Sequence, residues 1–297
     1  ATSKGNIRNT GELADFDIEV SSLKLLEYTY APIRITGKAN NKGADATLIT
    51  DDPNVALSAN MEYRKGQKEQ KMWLTLNVDS IIPNNLNLSE RYQECRFAFD
   101  IECDHTIHPA GKSITNIKMR DFVFDDGNGP DMLKNLHIYD DNTGEERTIT
   151  INSDILKADL VGSFSTSSLH ESFLKIANVH LPSFKTRLKR RVKNNNYFYR
   201  IEVKETRLLN KLFDLPFAIN ETSIISGSCL EDNNTFNIEA DLNNIVARGT
   251  QFRTINLKGS SDKEQIAIDA NILKPTKKGK KELDYRDTSS DVMIGFR

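Results

Sequence analysis

Apolar side chains recur at every second position through most of this chain, and a period of two means extended backbone with one apolar side. Phe16, Ile18 and Val20 open the pattern, and Leu23 and Leu25 continue it after a shift of parity. Ile33 and Ile35 follow, then Ala44, Ala46 and Leu48, then the longer run Val55, Leu57, Ala59, Met61 and Tyr63. Leu74, Leu76 and Val78 come next with Trp73 on the other side, and Cys95, Phe97, Phe99, Ile101 and Cys103 form the strongest run. Ile117 and Met119, then Phe122 and Phe124, lead to the middle of the chain. Beyond it the period returns at Tyr197, Tyr199, Ile201 and Val203, at Phe217 and Ile219, and at Phe236, Ile238, Ala240 and Leu242. Ile255 and Leu257, then Ile266, Ile268, Ala270 and Ile272, close it. Turn-forming clusters such as Asn40-Asn41-Lys42-Gly43, Asp51-Asp52-Pro53-Asn54 and Asp140-Asp141-Asn142-Thr143-Gly144 separate the runs. Strands at this spacing predict an antiparallel meander.

Residues 147–184 break the rhythm. Ile149 and Ile151 share one side of a short strand, and Leu156, Ala158 and Leu160 share one side of the next. The apolar parity flips across Ser153 and Asp154, so a turn or bulge is required there. Ser165 to Ser168 then offer N-cap candidates, with Ser168 and Glu171 at capping-box spacing. Leu169, Phe173, Ile176 and Ala177 follow at helical spacing, and Pro182 stops the segment. A second, shorter helical pattern lies near 205–213, with Leu208, Leu209, Leu212 and Phe213 before Pro216.

Composition narrows the class. The chain has 297 residues, 38% of them apolar and 28% charged, which suits a sheet with one face in water. A formal net charge of −2 argues against general binding of polyanions. No apolar run approaches the ~20 residues of a membrane-spanning helix. The first residues are not a signal peptide and include no initiator Met, so the chain reads as a mature product or an excised fragment. Cys95 and Cys103 would lie ~26 Å apart on one continuous strand, too far for a disulfide, which needs Cα atoms within about 7 Å.

Catalytic chemistry is not visible. Gly162-Ser163-Phe164 lacks the second glycine of a nucleophile elbow. Cys103, His105 and His108 cluster as C-x-H-x2-H, but a strand sends the two histidines to opposite sides, so no metal site is expected. Asp140-Asp141-Asn142-Thr143-Gly144 begins like a calcium loop, yet Ile151 stands where the closing glutamate belongs, and hairpin turn chemistry accounts for the aspartates. No enzyme, metal or cofactor is expected. Lys185, Arg187, Lys189, Arg190, Arg191 and Lys193 form one basic run, with nucleic acid or anionic head groups as functional readings. It reads first as a solvated connection, and the net acidity makes nucleic acid the weaker partner.

The order of these elements resembles the periplasmic bridge proteins of the AsmA/TamB superfamily, in particular the TamB-like proteins of Bacteroidetes. The opening GELADFDIEVSSLKLLEYTYAPIRITGKANNKGADATLITDDPNVALSANMEY is similar to their recurring strand, tyrosine, strand and glycine pattern. ITINSDILKADLVGSFSTSSLHESFLKIANVHLPSF is similar to their strand, helix and Leu-Pro ending, through Ser153, Asp154, Gly162, Leu169, Leu181 and Pro182. LFDLPFAINETSIISG resembles the repeat that follows. The similarity spans most of residues 5–272, and its motifs specify architecture rather than catalysis. The family's N-terminal membrane anchor and C-terminal domain are not in this sequence, so the resemblance implies an internal piece of a longer protein.

What the resemblance implies is an elongated, U-shaped antiparallel sheet, a β-taco, mainly β with one or two short helices. Its inner face would carry phospholipid acyl chains across the periplasm, in service of outer-membrane biogenesis. The full-length protein would be anchored in the inner membrane and would meet an outer-membrane barrel of the BamA type through parts absent here. The candidate groove residues are Leu74, Leu76, Phe97, Phe99, Ile101, Ile149, Ile151, Phe236 and Ile238. Period two alone is equally compatible with a face that holds lipid, packs on a second sheet or closes into a barrel. A structural or adhesive envelope protein with a sealed core is therefore the alternative. The expected organisation is a first sheet segment over 1–163, helix and connection over 164–184, a second segment over 185–273 and a charged tail over 274–297. A weaker echo relates the stretch from Ala31, with Gly37, to the stretch from Phe217, with Gly227.

Overall fold

A computed structural model describes residues 2–9, 13–30, 32–180, 194–261, 266–273 and 291–296. The chain divides into two compact units, 1–143 with 152–154 and 144–151 with 155–297. Both are mainly β and antiparallel, as the alternation predicts.

The first unit holds β1 (Thr2–Asn9), β2 (Leu13–Leu25), β3 (Tyr28–Tyr30), β4 (Ile33–Asn40), β5 (Gly43–Asp52), β6 (Val55–Lys65), β7 (Gln70–Ile81), β8 (Arg96–Ile107), β9 (Ser113–Asp125) and β10 (Pro130–Asp141). Each strand from β4 to β10 pairs with its sequence neighbour, and β2 sits between β1 and β4. The short β3 extends only the last turn of β2, where Leu23 faces Tyr30. Several strands run to 12 or 13 residues, because polar residues at the ends of each alternating run stay in the ladder. Turns are fixed by side chains that bind their own backbone: Asn40 Oδ1 accepts from Lys42 and Gly43, and Asp125 Oδ1 accepts from Gly127. Asp141 does the same for Thr143, which is the work of the aspartate pair that begins like a calcium loop.

The second unit contains β11 (Arg147–Ser153, whose last two residues group with the first unit), β12 (Leu156–Ser163), α1 (Leu169–His180), β13 (Asn196–Val203), α2 (Arg207–Phe213), β14 (Phe217–Ile219), β15 (Ser223–Leu230), β16 (Thr235–Ala247), β17 (Thr250–Ser261), β18 (Ile266–Leu273) and β19 (Asp291–Phe296). Its ladder runs β12, β13, β15, β16, β17, β18, β19, with β14 pairing the far end of β16. The parity flip at Ser153 and Asp154 is a turn, and both helices form close to where the periodicity places them. Asp291–Phe296 is a paired strand inside the stretch that reads as charged tail; Val292, Ile294 and Phe296 alternate there. The basic run 185–193 and residues 274–290 lie outside the described residues.

Candidate functional site: the apolar sheet faces

Directly opposed residues in an antiparallel sheet point to the same side, so register converts alternation into rows that cross the strands. In the first unit one row reads Phe16, Gly37, Ala46, Met61, Leu74, Cys103, Ile117, Ile138. The next reads Ile18, Ile35, Leu48, Ala59, Leu76, Ile101, Met119, Leu136. Each draws one residue from every strand between β2 and β10 except β3. At ~4.8 Å per strand such a row spans about 34 Å. These side chains are half-buried, apart from the more exposed Met61.

The other side of the same sheet is mostly polar, with Ile49 and Trp73 as exposed apolar residues among its charged and amide side chains. Its central row reads Asp17, Thr36, Thr47, Asn60, Thr75, Glu102, Lys118, His137. Cross-strand pairs knit it together: Arg34 to Asp17 at 3.0 Å, Arg64 to Asp45 at 2.5 Å, Arg120 to Glu102, and Asn77 Nδ2 to Asp100 Oδ1 at 2.9 Å. The Arg34 guanidinium holds the Asp17 carboxyl below its usual range. Exposed pairs of this kind add little stability, so their effect is to keep this side wet. A trough of about 710 Å³ lies here, lined by Asp15, Asp17, Lys38, Asp45, Thr47, Asn60, Glu62 and their neighbours on β2, β4, β5 and β6. Its charges are already paired with one another or with flanking arginines.

Where the apolar face does become core, a loop covers it. Residues 82–95 fold over the end formed by the start of β6 and the ends of β7 and β9. Val55, Val78, Leu86, Cys95, Phe124 and Leu133 are buried there, Leu86 to 1%. Tyr92 of the loop packs edge-on against Phe97 at 5.3 Å and Phe124 at 6.3 Å, and Phe99 stacks on Phe122 at 6.2 Å.

The second unit repeats the two-row arrangement. One row reads Ala158, Ile201, Ile225, Ala240, Leu257, Ala270, and the other Leu160, Tyr199, Gly227, Ile238, Gly259, Ile268. Its own elements cover more of the face. Ile176 of α1 is fully buried against Tyr197 and Cys229, with Leu160, Phe164, Leu169, Tyr199 and Phe236 around them. At the other end of the strands Val203, Ile219 and Ile245 form a second cluster with Leu156, Ile201, Leu242, Phe252 and Ile255. Burial drives the Tyr197 phenol well above its ordinary pKa and pushes Tyr199 up to about 12.

The nine sequence-predicted groove residues are all half-buried, and they fall into distinct settings. Leu74, Leu76 and Ile101 sit inside the two open rows of the first unit. Phe97 and Phe99 belong to the aromatic cluster at its capped end. Phe236 packs under α1, and Ile238 lies between Gly227 and Gly259. Ile149 and Ile151 lie on β11. The capping loop is the element that sequence reasoning missed; its signal is Leu86 and Tyr92 in a stretch without period two. The echo between the two halves has a physical counterpart: Gly37 and Gly227 each stand opposite an aromatic, Phe16 and Tyr199. None of the three cysteines is in a disulfide, and Cys103 lies in an apolar row between Leu74 and Ile117. His105 is engaged by Thr115 at 2.8 Å, and His108 approaches Glu69 at 3.9 Å. Compared with family models, curated proteins and solved structures, the chain matches none.

Proposed function

We infer that this chain is a non-enzymatic segment of a periplasmic lipid bridge of the AsmA/TamB type. In this reading the apolar rows carry phospholipid acyl chains between inner and outer membranes and so contribute to outer-membrane biogenesis. The observation that carries it is the pair of adjacent apolar rows crossing eight strands of the first unit, half-buried along their length and backed by a polar face. A row of about 34 Å is as long as the ~30 Å hydrocarbon core of a bilayer is thick. Each methylene taken from water onto such a surface is worth ~0.8 kcal/mol, so one acyl chain gains ample affinity without a specific pocket. Head groups stay outside the rows, so no conserved polar recognition is needed. The full-length protein would be held in the inner membrane and meet a BamA-type barrel through other parts of its chain.

The alternative is a structural envelope protein with a sealed core, and the packing of α1 and of loop 82–95 favours it locally. Native mass spectrometry of the purified chain separates the two. The bridge reading expects co-purified phospholipid that Leu76→Arg removes and Thr75→Arg, one residue away on the polar side, leaves in place. Lipid-free wild-type protein, or equal loss in both variants, would overturn it.

A further inference from the structure

In the second unit the row Gly162, Tyr197, Cys229, Phe236 lies beside the Leu160–Ile268 row on the same face, but α1 lies over it. Two kinds of contact hold the helix. One is apolar, Ile176 and Leu169 against the sheet. The other is a polar clasp on the side of the β15–β16 turn. Asn195, 1% exposed, accepts from the Ser165 N–H and donates to Ser168 O at 3.3 Å and to Ser172 Oγ at 2.9 Å. Lys175 Nζ donates to Glu231 Oε2 at 2.9 Å and to Asn194 Oδ1, and the Glu231 N–H donates to Asn195 O at 3.0 Å.

We propose that α1 is a latched lid over a second acyl-chain subsite, with the Asn195 and Lys175–Glu231 clasp as the latch. Every clasp group is one that water can solvate once the helix lifts, so release exchanges protein partners for water. The row the helix leaves is a continuation of the apolar face, so an acyl chain replaces the contacts of Ile176 and Leu169 with similar ones. Tyr197 is also hydrogen-bonded to Ser172 of α1, a neutral pair across the helix–sheet contact that water replaces when the helix lifts, and to Cys229, which stays on the sheet. The identity of the ligand rests on the lipid-bridge reading; the motion of the helix does not.

Two native thiols make the lid testable in the full chain. Cys229 is fully buried beneath α1, and Cys95 is buried in the other unit and serves as the internal control. With a maleimide probe, Asn195→Ala should speed labelling of Cys229 at least ten-fold and leave Cys95 unchanged. Hydrogen exchange should find the paired amides of β13 and β15 still protected. Lys175→Met should act in the same direction and covers the case in which Asn195→Ala does not fold. Unchanged Cys229 labelling, or faster labelling together with lost β13–β15 protection, overturns the lid. Phospholipid counted by native mass spectrometry should rise in Asn195→Ala and fall when Ile176→Cys is oxidised onto Cys229. Equal lipid in all forms overturns the lid but not the bridge, whereas no lipid in any form overturns the bridge and its acyl-chain subsite, with the labelling rates still deciding the motion.

Discussion

Two tyrosines carry the plainest consequence of burial in this protein. Tyr197 and Tyr199 stand side by side on β13, ring centroids 6.2 Å apart, and desolvation is the main reason both phenols resist ionisation. A phenol ordinarily loses its proton near pH 10, and Tyr199 is held up to about 12. The folded chain therefore keeps a proton that the unfolded chain releases. The resulting stability is complete below pH 10 and disappears as pH rises through 12. The urea midpoint of the second unit should stay flat up to pH 10 and then fall, and Tyr199→Phe should flatten the fall. A slope that ignores this substitution would show that the phenol is not the group concerned. The same residue explains a glycine: a Cβ on Gly227 would come within 2.8 Å of the Tyr199 hydroxyl, and a Cβ on Gly37 would run into the Phe16 ring. Sequence alone shows both glycines and both aromatics, but only register shows that they face each other.

At the scale of elements, what the chain discloses depends on how local the cause is. Strands and helices follow from periodicity, because each run records which side is apolar. The parity change between Met119 and Phe122 is visible in sequence, and the structure supplies its cause. Asp121 adopts a left-handed φ of 50°, adds one residue to β9 and returns Phe122 and Phe124 to the apolar side. Asn244 takes the same left-handed conformation, φ 46°, between Leu242 and Ile245, where β16 and β17 keep their register. Asp and Asn tolerate that conformation better than other non-glycine residues. Other contacts are encoded by no local pattern: Asp154 Oδ2 accepts from the backbone N–H groups of Lys134 and Asn135, about twenty residues away in the chain. The capping loop was illegible for a related reason, since its fold is set by surfaces distant in sequence. Leu86 is its anchor, at 1% exposure, and truncating a buried leucine leaves a cavity costing about 2–5 kcal/mol. Leu86→Ala should lower the first unit's unfolding free energy, read from its urea transition, by an amount in that range and leave the second unit's transition where it is. An equal shift in both transitions would mean that the loop supports more than its own sheet.

At the scale of the whole chain, the two units share one design and differ in how much of it their own elements cover. Each has two adjacent apolar rows across its ladder. In the first, burial is concentrated beneath the loop at one end, and the rows beyond it remain half-buried. In the second, α1 packs across β12, β13, β15 and β16, and Ile219 and Ile245 close the other end of the strands. Equivalent substitutions should therefore have opposite profiles. Ile101, in an open row of the first unit, faces Leu76 and Met119, and a charge there has water within reach; Ile101→Glu should strip most bound phospholipid and cost little stability. Ile238 stands between Gly227 and Gly259, its Cγ2 2.8 Å from where a Cβ on Gly259 would be, so it fills space that its neighbours leave empty. Ile238→Glu places a carboxylate against that packing with no cation opposite, and should lower the second unit's unfolding midpoint while most of the lipid remains. Lipid counts from native mass spectrometry and two-transition urea curves on the same preparations decide the matter. If Ile238→Glu removes lipid as completely as Ile101→Glu, the second unit is as open as the first and α1 does not restrict it.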